Sequence, residues 1–233
     1  MIPLHDDNPT NTAPLVTVTI IVLCTAVFFW ELSLVGNEQR LIAAFSVIPS
    51  TLLSAKSLPA DIAVIPPTAT LFTSMFLHGG WMHLIGNMLY LWIFGNNVED
   101  AMGHLRFLLF YLLCGLIAGL SHALPNATSD VPMLGASGAI AGVLGAYLLL
   151  HPHARVLVFI PLGFIFRTFY LPASIVLGLW FALQMISSAL TQSTEGGGVA
   201  WGAHIGGFLA GMVLVLFFRR RGVALFDPGR TRR

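Results

Sequence analysis

Apolar residues run almost unbroken through six stretches of the chain, near Pro14–Leu34, Thr70–Phe94, Leu105–Leu124, Ala136–Leu150, Leu171–Leu190 and Trp201–Phe218, and polar residues gather between them. Runs of this length predict six membrane-spanning helices. The first is too long for the core of a cleavable leader, has Asp6 and Asp7 in place of a cationic lead, and shows no small-residue cleavage site, so it reads as a span. A long connection, Val35–Ala69, carries Pro49, Pro59, Pro66 and Pro67; a stretch of that length either has a function or packs on the membrane surface.

Composition sharpens this into a class. With 56% hydrophobic residues, 9% charged residues and a mean hydropathy of +0.83, the chain is a polytopic membrane protein and not a soluble domain. The expected fold is an all-α bundle of six transmembrane helices with a long outward-facing first loop. The expected organisation is a cytoplasmic segment over residues 1–13, one six-helix domain over 14–218 and a basic cytoplasmic tail over 219–233. Cys24 and Cys114 fall inside apolar runs and read as small hydrophobes, with no disulfide and no metal site. No cofactor and no nucleic-acid partner are expected; the lipid bilayer is the surrounding partner.

The placement of charge matters more than its sum. Arg219, Arg220, Arg221, Arg230, Arg232 and Arg233 follow the last span, and Arg155 and Arg167 lie between spans four and five, so the positive-inside rule makes those sides cytoplasmic. Six spans return the N-terminus to the cytoplasm, and the loops Val35–Ala69, Pro125–Leu134 and Thr191–Ala200 face outward. The expected location is a bacterial inner membrane. Even-numbered spans run from outside inward, so His78, His83 and Asn87 opening span two, Ser137 opening span four and His204 opening span six share one outer level. Span four is short, about 15 residues or roughly 22 Å of a ~30 Å core. Its Ser137 end is therefore sunk below the surface, where unwound backbone must line a wet cavity inside protein.

That level holds the parts of a hydrolytic site. Ser137 needs a base, and a neutral imidazole is the usual one; with no acidic residue within spans two to six, the reading is a Ser137–His204 dyad without an aspartate. The Ser137 backbone N–H at a helix start is one oxyanion donor, and His83 and Asn87, at i and i+4, can supply side-chain donors from across the cavity. Gly138, Gly142 and Gly145 on span four, with Gly202, Gly206, Gly207 and Gly211 on span six, form small-xxx-small patterns that let two helices approach closely.

Three strings, His78-Gly79-Gly80-Trp81-Met82-His83-Leu84-Ile85-Gly86-Asn87, Gly135-Ala136-Ser137-Gly138 and Ala203-His204-Ile205-Gly206-Gly207-Phe208-Leu209-Ala210-Gly211, in this order, resemble the rhomboid intramembrane serine proteases. The resemblance implies a six-helix core, Ser137 as nucleophile, His204 as general base and later acid, and His83 with Asn87 in the oxyanion hole. His78, Gly135, Gly138 and Gly207 are then supporting residues, and single-pass or other transmembrane proteins are the substrates. Two features depart from the family pattern. Some members carry a tyrosine four residues after the serine that packs on the imidazole, where this chain has Ala141, and the Trp-Arg pair of many first loops is absent.

Other polar residues have plainer readings. His151 and His153 read as a solvated turn, His104 and Arg106 as topology determinants, and Trp81, Trp92 and Trp201 as belt or core residues. His122 has no assigned role. Two other functions fit the class: an inactive rhomboid-like protein that binds membrane proteins, against which both Ser137 and His204 argue, and a transporter, against which the outer clustering of polar residues argues.

Overall fold

The computed structural model describes residues 1–34, 36–54, 56–162, 165–191 and 200–227. Strand β1 (Ile2–Asp6) leads to α1 (Leu15–Ser33), and two short helices, α2 (Glu38–Phe45) and α3 (Pro49–Leu53), occupy the long connection. A short helix, α4 (Thr70–Thr73), precedes the long helices α5 (Trp81–Met102) and α6 (His104–Ala123). Then come α7 (Ser137–Leu150), a hairpin of β2 (Arg155–Leu162) and β3 (Ile165–Pro172), α8 (Ala173–Thr191) and α9 (Trp201–Phe218). The chain is an integral membrane protein: α1, α8, α9 and the stretch from α6 to Asn126 are long and apolar enough to cross a bilayer, and α7 is apolar but shorter.

The structure redraws the second apolar run. Thr70–Phe76 is a pair of tight helical turns, His78–Gly80 leaves the helix, and α5 then runs past Phe94 to Met102. His78 therefore precedes the helix that carries His83 and Asn87, and α5 takes Glu99 and Asp100 into its last turns. The expectation of no acid within spans two to six fails for that reason. The Glu99 carboxylate is buried at the start of α1, where it accepts from Val16 N (2.9 Å), Thr17 N (2.8 Å) and Thr17 Oγ1 (2.7 Å), with His104 Nδ1 2.6 Å away. It thus supplies the anion that Pro14, the residue before α1, cannot offer as a cap.

The antiparallel sheet β1-β2-β3 is the other feature that the apolar pattern does not predict. It packs where α5 and α7 end: Val156 and Val158 join the core, and buried Asp6 accepts from Tyr147 Oη (2.6 Å) and Asn97 Nδ2 (2.9 Å). The segment after α9 closes the same end, with Arg220 N bonded to Ala101 O and Phe226 N to Leu149 O. Residues 228–233 of the basic tail lie outside the described residues.

At the opposite end the two loops interlock. Val47 and Met133 exchange both backbone hydrogen bonds (3.0 and 2.8 Å), and Ser50 Oγ and Lys56 Nζ both bond to Asp130. The long connection thus packs over the entrance to α7. Helix α7 is the axis of the core, buried from Gly138 through Tyr147 and again at Leu150. Its glycines explain how it is surrounded. A Cβ on Gly138 would stand 2.7 Å from Ala118 Cβ of α6, and one on Gly142 would stand 3.1 Å from Gly207 O of α9. In lipid, where apolar side chains gain little by leaving the solvent, such backbone contact is a main source of helix affinity. Gly206 faces Ser121 of α6 rather than α7, so the two glycine registers of α9 serve two neighbours.

Candidate active site

Ser137 is the first residue of α7 and follows Gly135, whose φ of +121° turns the incoming loop in a conformation an L side chain rarely adopts. Gly135 N donates to Ser74 O at 2.8 Å, which ties this turn to the segment before α5. The first N–H groups of α7 have no acceptor within the helix, and the helix dipole makes that end favourable for negative charge.

His204 lies one turn into α9, buried, and its Nε2 is 2.8 Å from Ser137 Oγ. The pair is 67 residues apart in the chain. Tight α7–α9 packing below them, Gly207 against the Gly138 carbonyl, sets this distance.

His83, in the first turn of α5, faces the Gly135 turn: a Cβ on Gly135 would be 2.7 Å from both Cε1 and Nε2 of the ring and 3.7 Å from Ser137 Oγ. Absence of a side chain at Gly135 is thus what lets the imidazole approach the serine. One turn on, Asn87 is buried, and its Nδ2 has no hydrogen-bond partner among the described residues. A buried amide donor left unpaired is costly and calls for an explanation. His78 stacks edge-on against His83 with ring centroids 5.2 Å apart, its backbone N–H points at the Glu31 carboxylate (3.3 Å to each oxygen), and its Nε2 is also unpaired.

Two side chains of α8 complete the surroundings of His204. Gln184 Oε1 is 2.7 Å from His204 Nδ1, and Trp180, one turn earlier on the same helix face, lies 5.8 Å from the imidazole centroid to centroid. Trp201 adds an edge at 6.1 Å. These residues stand where Ala141 offers nothing to hold the ring. Sequence reasoning missed Gln184, yet a signal exists: it continues the inward stripe Ala173, Val176, Leu177, Trp180 and Phe181, a register where a polar residue is expensive. His122 of α6 lies beside the opening of α9, its Cα 3.6 Å from where a Gly202 side chain would begin.

No group of three or more metal-ligating side chains occurs among the described residues. A cavity of about 1080 Å³ lies at the other end of α9, lined by His104, Arg106, Arg219, Arg220 and Arg221; it gathers positive charge away from Ser137.

A bundle of apolar helices with a serine, four histidines and two carboxamides gathered at one end defines a membrane protein with a partly buried polar site. Known proteins narrow that class. The family model for the Rhomboid domain matches residues 67–221, and the chain belongs to the rhomboid family. It is 32% identical over 149 residues to "Rhomboid protein 1, mitochondrial" of Saccharomyces cerevisiae, covering 60% of this chain and 39% of that protein. It is 36% identical over 141 residues to "Rhomboid protease GluP" of Bacillus subtilis, covering 60% and 24%. Against "Presenilin-associated rhomboid-like protein, mitochondrial" of Mus musculus it is 27% identical over 209 residues, covering 86% and 48%. The chain thus spans less than half the length of these relatives.

Proposed function

We propose that the protein is a serine endopeptidase that cleaves transmembrane segments of other membrane proteins near the outer face of the bilayer. The observation that carries this reading is the 2.8 Å approach of His204 Nε2 to Ser137 Oγ, with the imidazole buried and the serine half-buried. That distance suits proton transfer, and a base so placed converts a weak hydroxyl into a nucleophile.

In this mechanism Ser137 Oγ attacks the scissile carbonyl carbon while its proton passes to His204 Nε2. Negative charge develops on the carbonyl oxygen, and the Ser137 N–H, a His83 ring N–H and the Asn87 carboxamide are the donors available to it. The C–N bond breaks as His204 returns the proton to the leaving amine, leaving an acyl-ester on Ser137. Water gives a proton to the same imidazole and attacks the ester carbonyl; the acyl C–O bond breaks as His204 returns that proton to Ser137 Oγ, which frees the new acid and restores the serine. Ser137 and the hydrolytic water supply the protons, His204 carries them and the named donors meet the oxyanion, so the cycle as proposed uses no cofactor or metal. The substrates are transmembrane helices that unwind at the outer edge, with a small residue before the cut. Six membrane spans, cytoplasmic termini and a bacterial inner-membrane location complete the proposal.

Cleavage of a single-pass model substrate in proteoliposomes, wild type beside Ser137→Ala and His204→Ala, with and without EDTA, tests it. Wild type should cut with or without chelator, and both variants should fall to background while remaining folded. A fully active Ser137→Ala, or loss of wild-type turnover in EDTA, refutes the proposal.

A further inference from the structure

We infer that Gln184 is a positioning residue for His204, holding the imidazole in the tautomer that a general base requires. The inference rests on the hydrolytic reading of the Ser137–His204 pair and adds the group that makes the pair directional. A neutral imidazole has one N–H and one lone pair, and whichever nitrogen donates leaves the other to accept. Gln184 presents its carbonyl oxygen, an acceptor only, 2.7 Å from Nδ1. Nδ1 must then carry the proton. The lone pair falls on Nε2, which faces Ser137 Oγ at 2.8 Å. Turned the other way, the carboxamide would donate to Nδ1, place the proton on Nε2 and leave the serine without a base.

Gln184 and His204 are each 8% exposed, so water competes little for the Nδ1 bond. Trp180 and Gln184, at i and i+4 of α8, reach the same ring, one limiting its tilt and the other its protonation. Among the described residues, the titratable groups that face the ring are His83 from α5 and His122 from α6; α7 presents Ser137, and α8 presents the uncharged Gln184 and Trp180. The imidazolium formed during acylation therefore meets a carbonyl dipole where a catalytic triad would offer a carboxylate. Gln184 fixes the tautomer without supplying a counter-charge.

The test pairs Gln184→Leu, which removes the acceptor at similar volume, with Gln184→Glu, which keeps it and adds charge. Gln184→Leu should lower kcat by about 10- to 100-fold with KM within about two-fold, less than the ~10⁴-fold loss when a triad imidazole is held in the wrong tautomer. Gln184→Glu should restore most of that rate and move the acidic limb of the kcat/KM profile upward by about one pH unit, because a nearby carboxylate favours the imidazolium. A residue that only filled space would move neither the limb nor the Leu–Glu difference. ¹⁵N shifts of His204 in detergent micelles read the tautomer without turnover. Wild type should show protonated Nδ1 and unprotonated Nε2, and Gln184→Leu a mixture. The inference is overturned if wild type carries its proton on Nε2, or if both variants keep the wild-type kcat and profile. A wild type that cleaves nothing yet shows protonated Nδ1 would refute the protease reading and uphold the Gln184 bond. Should Gln184→Leu misfold, the wild-type shifts and Gln184→Glu still decide.

Discussion

Gly211 of α9 lies so near Gly142 of α7 that a Cβ on Gly211 would stand 2.6 Å from the Gly142 Cα and nearer still to its carbonyl oxygen. No rotamer relieves such a clash, because the obstructing atoms are backbone. Gly211→Ala should therefore push the helices apart, cost about 2–3 kcal/mol or more, and reduce activity as His204 is carried away from Ser137. Gly178→Ala in α8, where nothing lies within 4 Å, is the control and should be neutral or stabilising by up to about 1 kcal/mol. Unfolding in mixed micelles measures both; equal behaviour of the two variants would contradict the packing described.

Asn87 separates a catalytic role from a structural one. Its Nδ2 is buried with no hydrogen-bond partner among the described residues, so Asn87→Ala removes no hydrogen bond seen there from that donor, and the variant should unfold little more easily than wild type. If the amide serves the oxyanion, kcat should fall by about 10²–10³ with little change in KM. A rise in KM alone would reassign Asn87 to substrate binding.

Burial holds the Asp6 carboxyl at about 6, above its ordinary 3.8, even though the Tyr147 hydroxyl opposes the shift. The folded state thus keeps a proton that the unfolded chain has already released between those values. Stability should fall as pH rises from about 4 to about 6, by up to about 3 kcal/mol, and level off above. Asp6→Asn keeps an acceptor for Tyr147 and should flatten that slope, being more stable than wild type at pH 8 and similar to it at pH 4. An unchanged slope in the variant would remove Asp6 as its source.

The proposed topology rests on the placement of the arginines and is checked without any assay of function. Cys24 and Cys114 are buried and can be replaced to give a thiol-free background. An impermeant maleimide added outside intact cells should label Thr128→Cys, in the loop before α7, and miss Ala224→Cys, after α9. The reverse pattern would put Ser137 on the cytoplasmic side.

Substrate size tests the proposed preference for a small residue beside Ser137. A series with Ala, Ser, Val and Phe before the scissile bond should show kcat/KM falling steeply toward Phe. A Pro or Gly nearby should raise it, since an interior Pro destabilises a substrate helix by ~3 kcal/mol. Equal rates for Ala and Phe would dispose of the small pocket.

Much of the architecture was legible before any coordinates. The apolar runs predicted α1, α6, α7, α8 and α9 to within two residues at every boundary, because in lipid a helix must be apolar along most of its length and that leaves a plain signal in the chain. The small-xxx-small spacing pointed to the α7–α9 contact, although it did not say that Gly206 turns to α6. The second run misled because Leu71–Leu77 is as apolar as a span while His78-Gly79-Gly80 breaks it. The strands of Arg155–Pro172 fall where Arg155 and Arg167 read as a connection between spans four and five, and that reading gives no sign of strand pairing.

What the sequence alone determined was therefore local: which segments belong in lipid, and which residue types at the helix starts could do chemistry. Tertiary structure decided what meets what. That Glu99 caps α1 across 82 residues, that Met133 pairs with Val47, and that Gln184 rather than a residue at Ala141 holds His204 depend on how helices rotate and where loops dock. Periodicity marks an inward face but names no partner across it. A single hydrogen bond at 2.7 Å depends on the rotation of two helices at once, and that rotation is set by the summed contacts of the whole bundle.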